Sequence, residues 1–200
     1  MTRSQFRGEI VGIGSTSGIR VVVGRWSSSP LGSFADVMVE TAAGHRVLLA
    51  PSPEVAEFVA ATYSFDAVRI EEVRVDETPD GGWSVTSPSL ALSVRVGGRT
   101  VLGRALCVVP RRVAESPAWC TLTDPVARVA LRGVRTRGSA GAGRREWYGA
   151  TDHRAVTRIA GSFDGVDLGE LRPVLPPPRF GFSSTPPTPS ITQVVTTVAW

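Results

Sequence analysis

The chain has 200 residues, of which 42% are apolar and 20% are charged, and its formal net charge is +4. This length and composition predict one globular domain with a sizeable core, and they exclude a disordered or collagen-like chain. All 22 basic residues are arginine, which excludes Schiff-base catalysis by lysine and the phosphate-binding lysine of a P-loop.

Alternating apolar and polar residues predict paired β-strands in the first quarter of the chain. The predicted strands are 9–13, 19–26, 34–40 and 45–50. The stretch Gly12-Ile-Gly14-Ser-Thr-Ser-Gly18 is similar to the glycine fingerprint of dinucleotide sites. Because a β-branched run follows it instead of a helix, we interpret the loop as a hairpin turn.

One main helix is predicted near 53–63. Ser52 is a suitable N-cap, Pro53 suits the first helical position, and Glu54 favours the positive end of the helix. Apolar residues at helical spacing follow and would form one buried stripe.

The rest of the chain also reads as strands. The range 68–75 is predicted either as one strand with a bulge at Glu71-Glu72 or as two short strands. The further predicted strands are 83–87, 90–96, 99–109, 128–137, 144–152 and 191–198. Gly97-Gly98 predicts a tight hairpin turn between 90–96 and 99–109. The range 173–189 is rich in proline, and we expect it to wrap over the single domain 1–200.

Many short antiparallel strands with one main helix predict a mainly β fold of the β-rich α+β type. We expect an antiparallel closed or nearly closed barrel, or two packed sheets, with the helix on one side.

Two cysteines, Cys107 and Cys120, are too few for a disulfide framework and lack metal-ligand spacing. The N-terminus lacks a signal-peptide core, and no stretch approaches the ~20 apolar residues of a membrane span. We therefore expect a soluble cytoplasmic protein with no membrane partner. No metal site and no cofactor is predicted, and the oligomeric state stays open.

Ligand binding is the first functional hypothesis. Arg104 stands between Leu102 and Leu106 in a predicted strand, where a guanidinium needs an acid or a ligand. With Tyr148 and Arg179, it is predicted to hold a small, partly apolar or anionic ligand.

Proton transfer is an alternative. Asp152 and His153 place a carboxylate and an imidazole side by side at the end of a predicted strand, as in a lysine-independent lyase or hydrolase. Strict alternation puts Tyr148 and Asp152 on one face of that strand and His153 on the other.

The Arg-rich hairpin 128–154 is the basis of a third hypothesis. Its arginines and Trp147 could bind nucleic acid or an acidic partner. The low net charge and the lack of a known nucleic-acid motif disfavour nucleic acid.

Three stretches carry a family resemblance: Trp147-Tyr-Gly-Ala-Thr-Asp-His-Arg, Phe163-Asp-Gly-Val-Asp-Leu-Gly-Glu-Leu and Arg179-Phe-Gly-Phe-Ser-Ser-Thr-Pro. They resemble an uncharacterised bacterial family that is similar to acetoacetate-decarboxylase-like β-barrel proteins. The resemblance implies that fold without the decarboxylase's Schiff-base reaction, because this chain has no lysine. It carries over no catalytic residue.

Overall fold

A computed structural model describes residues 3–131, 134–139 and 143–199. The strands are β1 (Arg3–Ser15), β2 (Arg20–Ser28), β3 (Phe34–Glu40), β4 (Arg46–Ala50), β5 (Ala67–Ile70), β6 (Arg74–Glu77), β7 (Trp83–Thr86), β8 (Leu90–Arg99), β9 (Arg137–Ser139), β10 (Arg145–Phe163), β11 (Val166–Asp167), β12 (Leu171–Arg172) and β13 (Ser190–Ala199). The helices are α1 (Pro53–Ala60), α2 (Val101–Val108), α3 (Arg111–Ala114) and α4 (Pro117–Ala130). Strands make up 48% of the structure and helices 18%, which confirms the β-rich class.

The strands form one curled sheet in the order β5-β4-β3-β2-β1-β13-β10-β8-β7-β6. The pairings between the described strands are antiparallel except that of β4 with β5, which α1 connects. In the described residues, β5 and β6 are the two ends of this path and do not pair with each other. The sheet is therefore an open half-barrel, and the predicted closure is not confirmed.

The concave side of the half-barrel is a packed core. Alternate residues from strands across the whole sheet point into it, including Val11, Ile13, Val21, Val37, Leu49, Trp83, Val85, Leu92, Ile159 and Phe163. Apolar side chains therefore fill the concave interior of the half-barrel.

The convex face, opposite this core, carries α1. Ser52 caps the helix by accepting a hydrogen bond from the Val55 amide at 3.4 Å, and Pro53 follows it. Val55 and Val59 pack on Leu48 of β4. The predicted helix is confirmed and ends three residues earlier than 63.

The glycine loop between β1 and β2 is a hairpin turn, as predicted. The amides of Thr16, Ser17 and Gly18 donate to the carbonyls of Glu170, Leu168 and Ser15. Gly18 has φ +80°, which glycine tolerates best. These three amides are thus engaged within the protein, unlike those of a dinucleotide-binding loop.

The predicted strand 99–109 is wrong. β8 runs straight through Gly97-Gly98, and the Thr100 hydroxyl caps α2 by accepting from the Gly103 amide at 3.0 Å. A side chain at Gly103 would collide with the His153 carbonyl, so this glycine lets α2 approach β10 closely. The cap and the helix-forming leucines outweigh the valines that suggested a strand.

Two other strand predictions change. The range 128–137 contains the end of α4 and the start of β9, and its Arg132 lies outside the described residues. The range 68–75 falls on two short strands, β5 and β6, as the alternative to one bulged strand predicted. They lie at opposite ends of the sheet, and Val73 between them is buried in the core.

The Pro-rich segment 173–189 crosses the convex face. Its course over β1 depends on glycine: Val11 and Ile13 face the core, so Gly12 and Gly14 face the segment. A methyl group on Gly12 would lie 2.5 Å from the Thr185 Cβ atom, and one on Gly14 would collide with the Pro173 carbonyl.

We expect Gly12→Ala to lower the free energy of unfolding by about 1–3 kcal/mol, because the new methyl group displaces the segment from β1. Urea denaturation followed by tryptophan fluorescence measures this loss. Gly98→Ala is the matched control, since no atom of the described residues lies within 4 Å of its methyl position. Equal stability of the two variants would contradict the close packing of segment 173–189 on β1.

Candidate functional site

The three predicted ligand-binding residues do not surround one cavity. Arg104 is exposed on α2 instead of interrupting an apolar strand. Arg179 is exposed, and its backbone amide donates to Glu40 Oε2 at 2.7 Å. The Tyr148 hydroxyl belongs to a buried network with Tyr63.

A β-bulge changes the faces on which the predicted residues lie. The register of β10 with β13 shifts between Ala150 and Asp152, and Thr151 is the extra residue. Tyr148 is opposite Thr196 and His153 is opposite Thr192, so both face the convex side, and Asp152 faces the other side. The predicted pairing of Tyr148 with Asp152 on one face is therefore wrong, because one inserted residue inverts the alternation.

Asp152 and His153 are engaged separately. Arg99 donates to both carboxylate oxygens of Asp152, at 2.8 and 3.0 Å, and this pairing lowers the pKa of Asp152. The His153 Nδ1 atom lies 2.8 Å from the Thr100 hydroxyl, and burial lowers the pKa of the imidazole. Because the two side chains leave β10 on opposite faces, this geometry does not aim them at one substrate.

A buried network that the sequence did not reveal lies on the convex face. The hydroxyls of Tyr63 and Tyr148 donate to Glu146 Oε2 at 3.2 and 2.9 Å. Burial raises the pKa of Glu146. The Phe182 ring of the Pro-rich segment packs on Tyr148 with centroids 5.7 Å apart. These hydrogen bonds satisfy the network within the protein, and the network connects the Pro-rich segment and the turn after α1 to β10.

A basin opens beside the hairpin turn between β1 and β2. Its volume is about 440 Å³, and it is lined by Gly14, Ser15, Thr16, Gly18, Arg20, Arg172, Pro173 and Leu175. Two arginines and two hydroxyl side chains supply the polar part of this wall, and Pro173 and Leu175 supply the apolar part. The pairing of Gly14 with Arg172 brings β12 and the start of the Pro-rich segment to this place.

Arg20 is the central residue of the basin. It is only 6% exposed, and its Nη2 atom donates to Glu40 Oε1 at 2.8 Å and to the Thr41 carbonyl at 3.2 Å. Its Nε atom is buried, and neither Nε nor Nη1 has a hydrogen-bond partner among the described residues. Buried donors are nearly always paired, so this guanidinium has unused capacity to bind an acceptor.

Glu40 and Arg172 set the charge around Arg20. Glu40 is 2% exposed and also accepts the Arg179 amide, so it holds the guanidinium in a fixed position. Arg172 is exposed and lies 3.5 Å from Glu170. Glu40 offsets part of the positive charge of Arg20, and Glu170 offsets part of that of Arg172. Together the two guanidinium groups supply the positive charge that an anion would meet at the basin.

A larger groove runs along the second half of β10. It is lined by residues of 157–162 and 165–171, with a volume of about 820 Å³. Its charged residues, Arg158, Asp167 and Glu170, are all exposed. It lacks a buried, positioned charge, so the Arg20 basin is the stronger candidate for specific recognition.

Two arginines of the predicted hairpin are engaged within the protein, whereas Arg137 and Arg145 are exposed. Arg128 pairs with Asp124 at 2.7 Å. Arg144 points inward, donating to the Phe58 carbonyl at 3.0 Å and the Thr62 hydroxyl at 2.8 Å. A third member, Arg132, lies outside the described residues.

No protein-family model matches the chain, and no curated protein matches it. Among solved structures, the chain is similar to a crystal structure from Nitrosomonas europaea that is provisionally assigned as AttH. The sequence identity is 11% and the TM-score is 0.29. The match covers 99% of this chain and 51% of that one, so this chain spans about half its length.

None of the helices in the described residues is both long and apolar enough to cross a membrane. The resemblance to acetoacetate-decarboxylase-like proteins has no family match to support it. The chain is a β half-barrel with an arginine-lined basin on its convex side.

Proposed function

We propose that this protein binds a small organic acid in the Arg20 basin. The carboxylate accepts hydrogen bonds at Arg20 and is attracted by Arg172, and a short apolar chain lies on Pro173 and Leu175. The observation that supports this most is the buried Arg20 guanidinium, whose Nε and Nη1 atoms have no partner in the described residues.

Charge and rigidity favour an anion at this position. Hydrogen bonds between a guanidinium and a carboxylate are about twice as strong as neutral ones. Because Glu40 already holds Arg20 in place, little side-chain entropy is lost when a ligand binds. The Ser15 and Thr16 hydroxyls at the same wall are already engaged, because Ser15 donates to the Ile19 carbonyl at 2.7 Å and Thr16 accepts from the Glu170 amide at 2.9 Å. The polar contacts to a ligand therefore come from the arginines.

Of the residues predicted from the sequence, Arg179 adjoins this site. Its amide and the Arg20 guanidinium bind the two oxygens of the same Glu40 carboxylate. Arg104 and Tyr148 lie elsewhere in the fold, and the proposal does not use them.

Isothermal titration with hexanoate and with its uncharged analogue hexanamide tests the proposal. We expect hexanoate to bind with a Kd near 1 mM or below, about −4 kcal/mol for a ligand of this size. Hexanamide should bind at least about tenfold more weakly, since it lacks the charge that Arg20 and Arg172 attract.

Two arginine variants test whether hexanoate binds in the Arg20 basin or in the larger groove. Arg172→Gln should weaken hexanoate binding by about three- to tenfold, because it removes the exposed charge at the basin. Arg158→Gln, in the larger groove, is the matched control and should leave the affinity unchanged. Equal affinities for acid and amide, or a loss in the Arg158 variant alone, would contradict this assignment.

A further inference from the structure

Helix α4 presents its apolar side to solvent. The residues on this side are Ala118, Leu122, Pro125, Val126 and Val129, which helical spacing places on one arc of about 100°. Leu122 is 70% exposed, Val126 67% and Val129 85%. The buried side of the helix consists of Cys120, Asp124 and Ala127, so the usual polarity of a surface helix is reversed.

Helix α2 also exposes apolar residues, although its Leu102 and Leu106 are half-buried. Val101 and Val108 are each 82% exposed, and Ala105 lies between them on the same side. The residue that α2 buries is Gly103. Contiguous apolar surface on a helix is uncommon in soluble proteins and marks a contact with a partner or a membrane.

The charges that accompany these apolar residues are positive. Arg104, Arg111 and Arg112 are exposed on α2 and α3, and Arg128 of α4 is exposed but paired with Asp124. The acids in residues 101–131 are both engaged: Glu115 binds Arg7 at 2.6 Å, and the buried Asp124 binds Arg128 and the Thr136 amide. Within this described range, the surface therefore combines apolar side chains with guanidinium groups.

We propose that α2–α4 form a docking surface for an anionic lipid membrane. The apolar arc of α4 enters the headgroup region, and the exposed arginines pair with lipid phosphates. A second copy of the chain fits less well, because it would place two arginine-bearing surfaces against each other, and both acids of residues 101–131 are already engaged. The sequence predicted no membrane partner because it contains no span, and a helix lying in the membrane plane needs none.

Vesicle flotation tests this surface. The full chain is mixed with vesicles of phosphatidylcholine and phosphatidylglycerol at 7:3, or of phosphatidylcholine alone, at low salt. We expect flotation with the anionic vesicles to exceed that with neutral ones by at least about tenfold, and to fall at 0.5 M salt.

A triple variant identifies the contact. Leu122→Gln, Val126→Gln and Val129→Gln together should reduce partitioning at least about tenfold, since each side chain removed is apolar and exposed. Val68→Gln with Ile70→Gln is the control, because these residues of β5 are also exposed, at 45% and 52%.

Flotation that is equal on both vesicles, or unaffected by the triple variant, would overturn the proposal. So would a concentration-dependent dimer in sedimentation velocity that the triple variant abolishes, because that result would assign the surface to a second copy. Circular dichroism of the variants checks that the fold is retained.

Discussion

Replacing Arg20 with methionine is expected to lower the free energy of unfolding by about 3–5 kcal/mol. Glu40 is 2% exposed, and the substitution would leave its carboxylate without the guanidinium that now lies 2.8 Å away. An unpaired buried charge is among the most destabilising single changes in a protein. Urea denaturation at pH 7 measures the loss.

A double variant separates the cost of leaving the Glu40 carboxylate unpaired from the cost of lost packing. Arg20→Met combined with Glu40→Met should recover more than half of the stability, because no carboxylate then remains buried. Recovery should be incomplete, since the Arg179 amide loses its acceptor. A single variant that loses less than about 1 kcal/mol would show that Arg20 and Glu40 are solvated in solution.

Replacing Asp36 with asparagine is expected to remove a large pH dependence of stability. Burial raises the pKa of Asp36 from 3.8 to about 7, and the hydrogen bond from the Trp26 indole only partly opposes this. The folded protein therefore keeps a proton that the unfolded chain releases above about pH 4.

The sign of the effect follows from this difference. Because the folded state binds the extra proton, the stability that Asp36 contributes is fully present below about pH 4 and is lost as the pH rises to about 7. The expected fall from Asp36 is about 4 kcal/mol, from roughly three pH units at 1.36 kcal/mol each. Glu146, whose pKa burial also raises, adds to the fall in the same direction.

Denaturation midpoints of the wild type and Asp36→Asn between pH 4 and 8 measure this effect. Asparagine keeps an oxygen that can accept from the Trp26 indole, which now donates to Asp36 at 2.8 Å. As the pH rises from 4 to 8, the wild type should therefore lose stability relative to Asp36→Asn. Parallel profiles would show that Asp36 ionises normally in the folded protein.

The parts of the fold that sequence patterns predicted are those with local signals. The first two hairpins have alternating strands and a turn that contains Gly18, and α1 has a cap at Ser52. The helices α2 and α4 escaped prediction because their apolar residues face solvent, so no buried stripe marks them. Because valine favours strands, a helix with exposed valines is predicted from its sequence as a strand.

The sites were harder to predict because their residues meet only through the sheet. Arg20 and Glu40 are 20 positions apart, and the pairing of β2 with β3 brings them together. Arg172 joins them through β12, which no hydrophobic pattern indicates. The bulge at Thr151 is a single added residue, and only the register of β10 against β13 reveals it.

The most direct test of acid binding at the basin is a titration followed by arginine side-chain NMR. The Arg20 Nε–H group is buried, so its signal should be protected from exchange with water, and its disappearance in Arg20→Lys assigns it. Addition of hexanoate should shift this signal in a saturable manner, and hexanamide should not. An unchanged Arg20 signal, with shifts confined to residues around Asp152 and His153, would contradict binding at the basin and place the ligand at the other predicted site.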